Sequence, residues 1–225
     1  MDVTLYIGNK NYSSWSLRAW LVLRWGGIAF QERMLQLGGD GYGSRRIAEL
    51  LAVSPSGCVP VLHVGETVVW ESIAIAEWAA ERAPSLWPRD PLARARARSV
   101  TAEIHGGFGA LRRDLSMNLR RRMDEPVWPE DTRLDIARVQ QLWRGCLAQS
   151  GGPWLFGERS IADAFYAPVV GRFRTYGVPL SGELAAYAAT VWRDADIREW
   201  DEAALREAWS IPTTDALHTG AVSGE

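Results

Sequence analysis

Three short stretches of the 225-residue chain hold side chains suited to an anion or a reactive group. Asn11-Tyr12-Ser13-Ser14 places two hydroxyls in a turn just ahead of an apolar helix, where such side chains satisfy the free N–H groups of the first turn. Glu71-Ser72 sets a carboxylate beside a serine at the start of another helix. The unpaired N–H groups there form a ready anion site, although the pair taken alone reads more readily as a cap. Cys58-Val59-Pro60 opens a strand, and the proline alone demands only trans geometry. Cys58 reads as a small buried hydrophobe. With Cys146 it forms neither a C-x-x-C pair nor a ligand cluster, which argues against a disulfide framework or a zinc site. Ser160 and Asp163 have capping-box spacing, a folding role.

The elements that must position these residues follow from periodicity. Val3 to Ile7 is a β-prone run, and Leu17, Trp20, Leu21 and Leu23 continue as a helix that Gly26-Gly27 ends. Ala29 to Leu37 reads as a second strand, and Ser44 can cap a helix through Leu51. Val59 to Val64 and Thr67 to Trp70 are strands joined by a Gly65-Glu66 turn, and Ser72 caps a helix through Glu81. The order is β-α-β-α-β-β-α. Pro84, Pro88 and Pro91 then mark a linker.

Beyond the linker strand signals nearly vanish. Val100, Ile104, Phe108, Leu111 and Leu115 recur at steps of three and four, which predicts one long helix. Ile136, Val139, Trp143 and Cys146 mark the next, and Ile161, Phe165, Val169 and Phe173 a third. Shorter helices are predicted over 183–193 and 197–209, with a frayed polar tail of about ten residues. His105 lies beside the first stripe, where a lone histidine reads as packed or solvated.

Composition narrows the function. Net charge is -2, which gives no reason to expect a nucleic-acid partner; the alternating arginines from Arg94 to Arg98 read as a solvated face. No apolar run reaches the roughly 18 residues that span a bilayer, and no charged segment followed by an apolar stretch opens the chain, so a cytoplasmic protein is expected. Twelve tryptophans point to core and interface packing.

Taken in order, four segments resemble glutathione transferases. Asn11-Tyr12-Ser13-Ser14-Trp15-Ser16-Leu17-Arg18 is similar to the serine motif of zeta-like members, with the serines here directly abutting Trp15. Ser54 to Leu62 carries the family's Val-Pro pair, and Val69 to Ile75 its Glu-Ser-x-Ala-Ile signature. Ser160 to Asp163 matches the capping box of the helical domain. The resemblance implies an α/β thioredoxin-like N-terminal domain over 1–82, a linker over 83–91 and an all-α domain over 92–225.

It also implies glutathione as co-substrate. Glu71 would take the γ-glutamyl ammonium and Ser72 its carboxylate. A cis Val59–Pro60 bond would let Val59 pair with the peptide like an added strand. Cys58 stands where members often carry Lys, Gln or Arg, so Arg45 or Arg46 would have to meet the glycyl carboxylate. Ser13 is expected to activate the thiol and Ser14 to cap the helix, with a shift of one residue exchanging the roles. His105, Phe108 and Arg112 are candidates for the electrophile pocket. A small electrophile and a second copy of the chain are the implied partners. Isomerisation of the maleylacetoacetate type is a second reading. A silent protein-binding regulator is a third. A thiol-disulfide or dehydroascorbate reductase ranks last, since serines replace cysteine in the first turn.

Overall fold

A computed structural model of the chain describes residues 2–38, 42 and 47–217. Four strands form one sheet in the order β2-β1-β3-β4. β1 (Val3–Ile7) runs parallel to β2 (Gln31–Met34) and antiparallel to β3 (Val61–Val64), which pairs in turn with β4 (Thr67–Trp70). A parallel pair needs a crossover, and α1 (Ser14–Trp25) supplies it. Leu5 and Ile7 of β1 and Leu62 of β3 are fully buried, packed in one core with Leu17 and Leu21 of α1 and Ile75 and Ala79 of α3 (Ser72–Arg82). A short helix, α2 (Ala48–Val53), precedes β3; the serine expected to cap it, Ser44, lies outside the described residues.

Of the linker prolines, Pro84 opens a 3-10 turn, Pro84–Leu86, and Pro91 already belongs to the next helix, α4 (Pro91–Gly106), capped by Asp90. The single long helix expected from Val100 to Leu115 is broken. Gly107 ends α4, and a Cβ there would meet the Glu103 carbonyl oxygen at 2.8 Å. Phe108 then takes a left-handed conformation (φ 61°, ψ 46°), which turns the chain into α5 (Gly109–Asp114). That conformation costs a bulky residue on the order of 1–2 kcal/mol, offset by burying its ring. The stripe survives the break because both pieces present it to one core.

α6 (Glu130–Ser150), α7 (Ile161–Thr175), α8 (Gly182–Arg193) and α9 (Ala195–Arg206) complete the helical layer, with a short α10 (Pro212–Asp215) near the end. α7 is buried on nearly every face and packs against α1, α4 and α8, as a helix apolar all round must. Its capping box is as expected: Asp163 accepts from the Ser160 N–H at 2.9 Å. It also accepts from the Leu155 N–H at 3.0 Å and the Tyr187 hydroxyl at 3.2 Å. Five of the twelve tryptophans, Trp20, Trp87, Trp128, Trp143 and Trp200, are buried in the core. Trp143 meets Tyr166, Phe173 and Tyr187 at 5.0–5.8 Å between ring centres, and Trp20 of α1 meets Trp200 of α9 at 5.4 Å.

The segment after α9 folds back along the β1–α1 loop. Glu207 accepts from the backbone N–H groups of Lys10 and Asn11. Asp215 accepts from the Tyr12 hydroxyl at 3.0 Å and from Asn118 at 2.8 Å. Arg120 ties the same loop to the Glu207 and Trp209 carbonyls. The polar tail expected to fray lies mostly outside the described residues.

Candidate active site

Both serines of the first turn are buried, but their hydrogen bonds differ. Ser13 is the N-cap of α1: its Oγ accepts from the Ser16 N–H at 3.3 Å and donates to Ser16 Oγ at 2.7 Å. Ser16 Oγ also accepts from the Gly8 N–H at 3.0 Å, so these groups satisfy one another. Ser14 is already the first helical residue. Its Oγ accepts from Arg172 Nη2 at 3.0 Å, which leaves its proton to offer elsewhere. The expected cap is therefore corrected: capping falls to Ser13, because the loop conformation (φ -85°, ψ 86°) ends there and not one residue later. Ser13→Ala should cost about 1 kcal/mol of stability. For a chain of this size that lowers the melting temperature by about 2–4 °C, read by thermal denaturation.

Ser72 is likewise not a cap. It is the first residue of α3, and its Oγ is buried without a partner among the described residues. Glu71 holds the cap position at φ 69° and ψ 126°, a backbone region that favours glycine, yet its side chain makes no capping bond. Its carboxylate lies 3.9 Å from His105 Nε2 and is half exposed. Burial lowers the pKa of His105, with the arginines nearby acting the same way. The Val59–Pro60 bond is cis. Cys58 is half-buried, and its carbonyl accepts from Ser54 Oγ at 2.8 Å. Arg45 and Arg46 lie outside the described residues.

These residues meet around a cavity of about 590 Å³ between the sheet and the helices, a volume suited to a small peptide with a second small molecule. Ser13, Ser14 and Trp15 line one side, Cys58, Val59, Pro60, Glu71 and Ser72 another, and Arg112 and Arg172 the helical wall. His105 and Phe108 do not line it. Phe108 is buried in the core, and His105 stands behind the wall, edge-on to Trp15 at 5.3 Å. The break after Gly106 turns Phe108 off the edge that an unbroken helix would have presented, whereas His105, still within α4, sits against Trp15 and Glu71.

Sequence reasoning missed Arg18 and Arg172. The available signal was an arginine beside the apolar stripe of a helix read as core, and another one turn beyond Ser14. Burial, then neighbouring Arg112, pushes Arg172 down to about 9. Burial holds Arg18 well below its ordinary value, with Arg112 and Arg172 adding to it. The guanidiniums of Arg18 and Arg112 lie 4.4 and 4.6 Å from the Trp15 ring centre. Tyr12 also faces the cavity, but its hydroxyl is taken up by Asp215 and Arg120.

Residues 12–82 match the family model for the glutathione S-transferase N-terminal domain, and residues 93–209 that for the C-terminal domain. The chain belongs to the glutathione S-transferase family. Among its relatives, a maleylacetoacetate isomerase of Pseudomonas aeruginosa is 32% identical, over 78% of this chain and 84% of the relative. The maleylacetoacetate isomerase of Rattus norvegicus is 27% identical, over 79% and 81%. A glutathione transferase of Methylococcus capsulatus superimposes with a TM-score of 0.67 at 25% identity, covering 90% of this chain and 98% of its own. A glutathione transferase homologue from Burkholderia, solved with bound glutathione, shares the fold at 22% identity and a TM-score of 0.67, over 90% and 97%. As in the family, a thioredoxin-like N-terminal domain precedes a helical one. No helix among the described residues is long and apolar enough to cross a membrane.

Proposed function

We propose that this family member is a glutathione transferase that activates the glutathione thiol in the cavity and directs it at an electrophile held against the helical wall. One observation carries the reading. The cavity joins a buried Ser72 hydroxyl beside Glu71, without a hydrogen-bond partner among the described residues, to a Ser14 hydroxyl whose oxygen already accepts from Arg172. The first pair suits the γ-glutamyl carboxylate and ammonium. The Ser14 hydroxyl, at the opposite side, suits the sulfur. Ser14, with Ser13 as the alternative, is therefore the residue we assign to the thiol.

A free thiol has a pKa near 8.5, so only a few per cent is ionised at pH 7. Lowering it by about two units takes about 2.7 kcal/mol of preference for the thiolate. A donated Ser14 hydrogen bond, the N-terminus of α1 and the Arg172 charge all act in that direction. The thiolate then attacks the electrophile, forming a carbon–sulfur bond as the leaving group departs. A division at 1–82, 83–91 and 92–225 goes with this reading. So does a cytoplasmic location, where glutathione is abundant and reduced.

Isomerisation is the second reading, favoured by the relative at 32% identity. Assay with glutathione and chlorodinitrobenzene, a peroxide and a maleyl compound separates the two. A transferase consumes glutathione, whereas an isomerase regenerates it. No turnover on any of the three would count against both.

Glu71→Gly separates binding from folding. It removes the ammonium partner yet relieves the backbone at φ 69°. Glutathione affinity should fall by roughly tenfold or more, with thermal stability unchanged or raised. Unchanged affinity by calorimetry would remove Glu71 from the site.

We also propose a homodimer, for which exposed Trp70 and Leu92 offer apolar surface. Light scattering should give about twice the 25.0 kDa protomer mass, and a monomer mass at micromolar concentration would refute the pairing.

A further inference from the structure

The helical wall holds a charge imbalance that thiol activation alone does not explain. Arg24, Arg98, Arg138 and Arg159, at the surface, each pair with a carboxylate. Arg18 and Arg112, against the Trp15 ring, and Arg172, beside Ser14, have no such partner among the described residues. Arg112 donates to the Gly107, Ile104 and His105 carbonyls through Nε and Nη2. Its Nη1 has no partner among the described residues. Arg172 donates to the Leu115 carbonyl and to Ser14. Arg18 Nε and Nη1 are buried with no hydrogen-bond partner among the described residues. Asp135 acts on Arg112, but it bonds the Leu111 N–H and not a guanidinium.

Taking one charge out of water without a counter-ion costs several kcal/mol, and like charges gathered together add to it. Capping the end of α4 accounts for part of Arg112, since cations suit a helix C-terminus. It accounts for neither Arg18 nor Arg172. An anion in the cavity would relieve all three.

We propose that Arg112 and Arg172, backed by Arg18, form a carboxylate-binding subsite, so that the second substrate is an electrophile bearing a carboxylate. The inference rests on the glutathione reading above, which assigns glutathione's γ-glutamyl carboxylate to the Ser72 side and its glycyl carboxylate to the Cys58 side. The arginines stand on the other wall, next to Ser14, where the electrophile must approach the sulfur. A planar guanidinium fork matches a carboxylate with two parallel hydrogen bonds. Trp15, which lines the cavity beside them, carries the Arg18 and Arg112 guanidiniums against its ring and so helps to hold them in place.

The test is calorimetry with two product analogues of equal size, S-(4-carboxybenzyl)glutathione and S-(4-carbamoylbenzyl)glutathione. It needs no turnover. The carboxylate form should bind roughly tenfold or more tighter than the amide. Arg112→Gln should shrink that ratio severalfold. If that variant is unstable, Arg112→Lys keeps the charge, loses the fork, and should reduce the ratio in part. Equal affinities for the two analogues would overturn the subsite while leaving the glutathione reading intact, and the arginines would then serve the thiolate alone. A preference that survives both variants would overturn the assignment to Arg112. Binding of neither analogue would refute the glutathione reading and this inference with it.

Discussion

Ser14→Ala should return the thiol of bound glutathione towards its free pKa and lower conjugation near neutral pH by roughly 10- to 100-fold, the worth of one charge-assisted hydrogen bond. Thiolate absorbance in the ultraviolet reads the pKa directly. Raising the thiol pKa leaves less thiolate at pH 6 to 7 and little difference above pH 9, so the deficit should close as pH rises. Ser14 is also the acceptor for buried Arg172. Its loss should therefore cost stability as well, so thermal denaturation belongs beside the kinetics. Ser13→Ala should leave the thiol pKa where it was. If Ser13→Ala raises the pKa and Ser14→Ala does not, the roles return to the order expected from the sequence.

The largest loss of stability is expected from Asp163→Ala. Its carboxylate accepts from two backbone N–H groups, those of Leu155 and Ser160, and from the hydroxyls of Ser160 and Tyr187. The hydroxyls can turn to other partners, but the buried amides cannot. At about 1–3 kcal/mol for each unsatisfied amide, the variant should lose about 3 kcal/mol or more. That corresponds to roughly 10 °C in melting temperature for a chain of this size. A distinct signature goes with it. Burial pushes Asp163 up to about 6, against the pull of its donors. Between the ordinary carboxylate pKa and about 6, the unfolded chain has released this proton while the folded chain keeps it. The unfolded state then binds fewer protons, and stability falls as pH rises through that window. Asp163→Ala should abolish that part of the slope. A variant that melts within two degrees of the parent would show that the box does not hold α7.

Much of the site was legible because it sits where elements begin. The turn ahead of α1, the Val-Pro pair before β3 and the Glu-Ser pair before α3 are marked by residue types that punctuate structure, and all three face the cavity. What escaped was set by one-residue geometry and by distance along the chain. Ser13 and Ser14 are chemically alike, and only the backbone angles decide which of them caps. Phe108 continues the helical stripe without fault, and nothing in the periodicity shows that Gly107 breaks it. Arg172 lies 158 residues beyond Ser14, and their hydrogen bond exists only once α1 and α7 are packed.

That same separation bears on the order in which the protein can be made. Ribosomes deliver chains from the N-terminus at about 5–20 residues per second, and early domains tend to fold as they emerge. Here the β1–α1 loop is finished by parts of the chain that come last. Trp200 donates to the Lys10 carbonyl at 2.9 Å, Glu207 takes the Lys10 and Asn11 N–H groups, and Asp215 takes the Tyr12 hydroxyl. A nascent chain that has exposed only its sheet therefore carries a loop whose amides still answer to water. Those amides gain their protein partners only when α9 and the segment after it have cleared the exit tunnel.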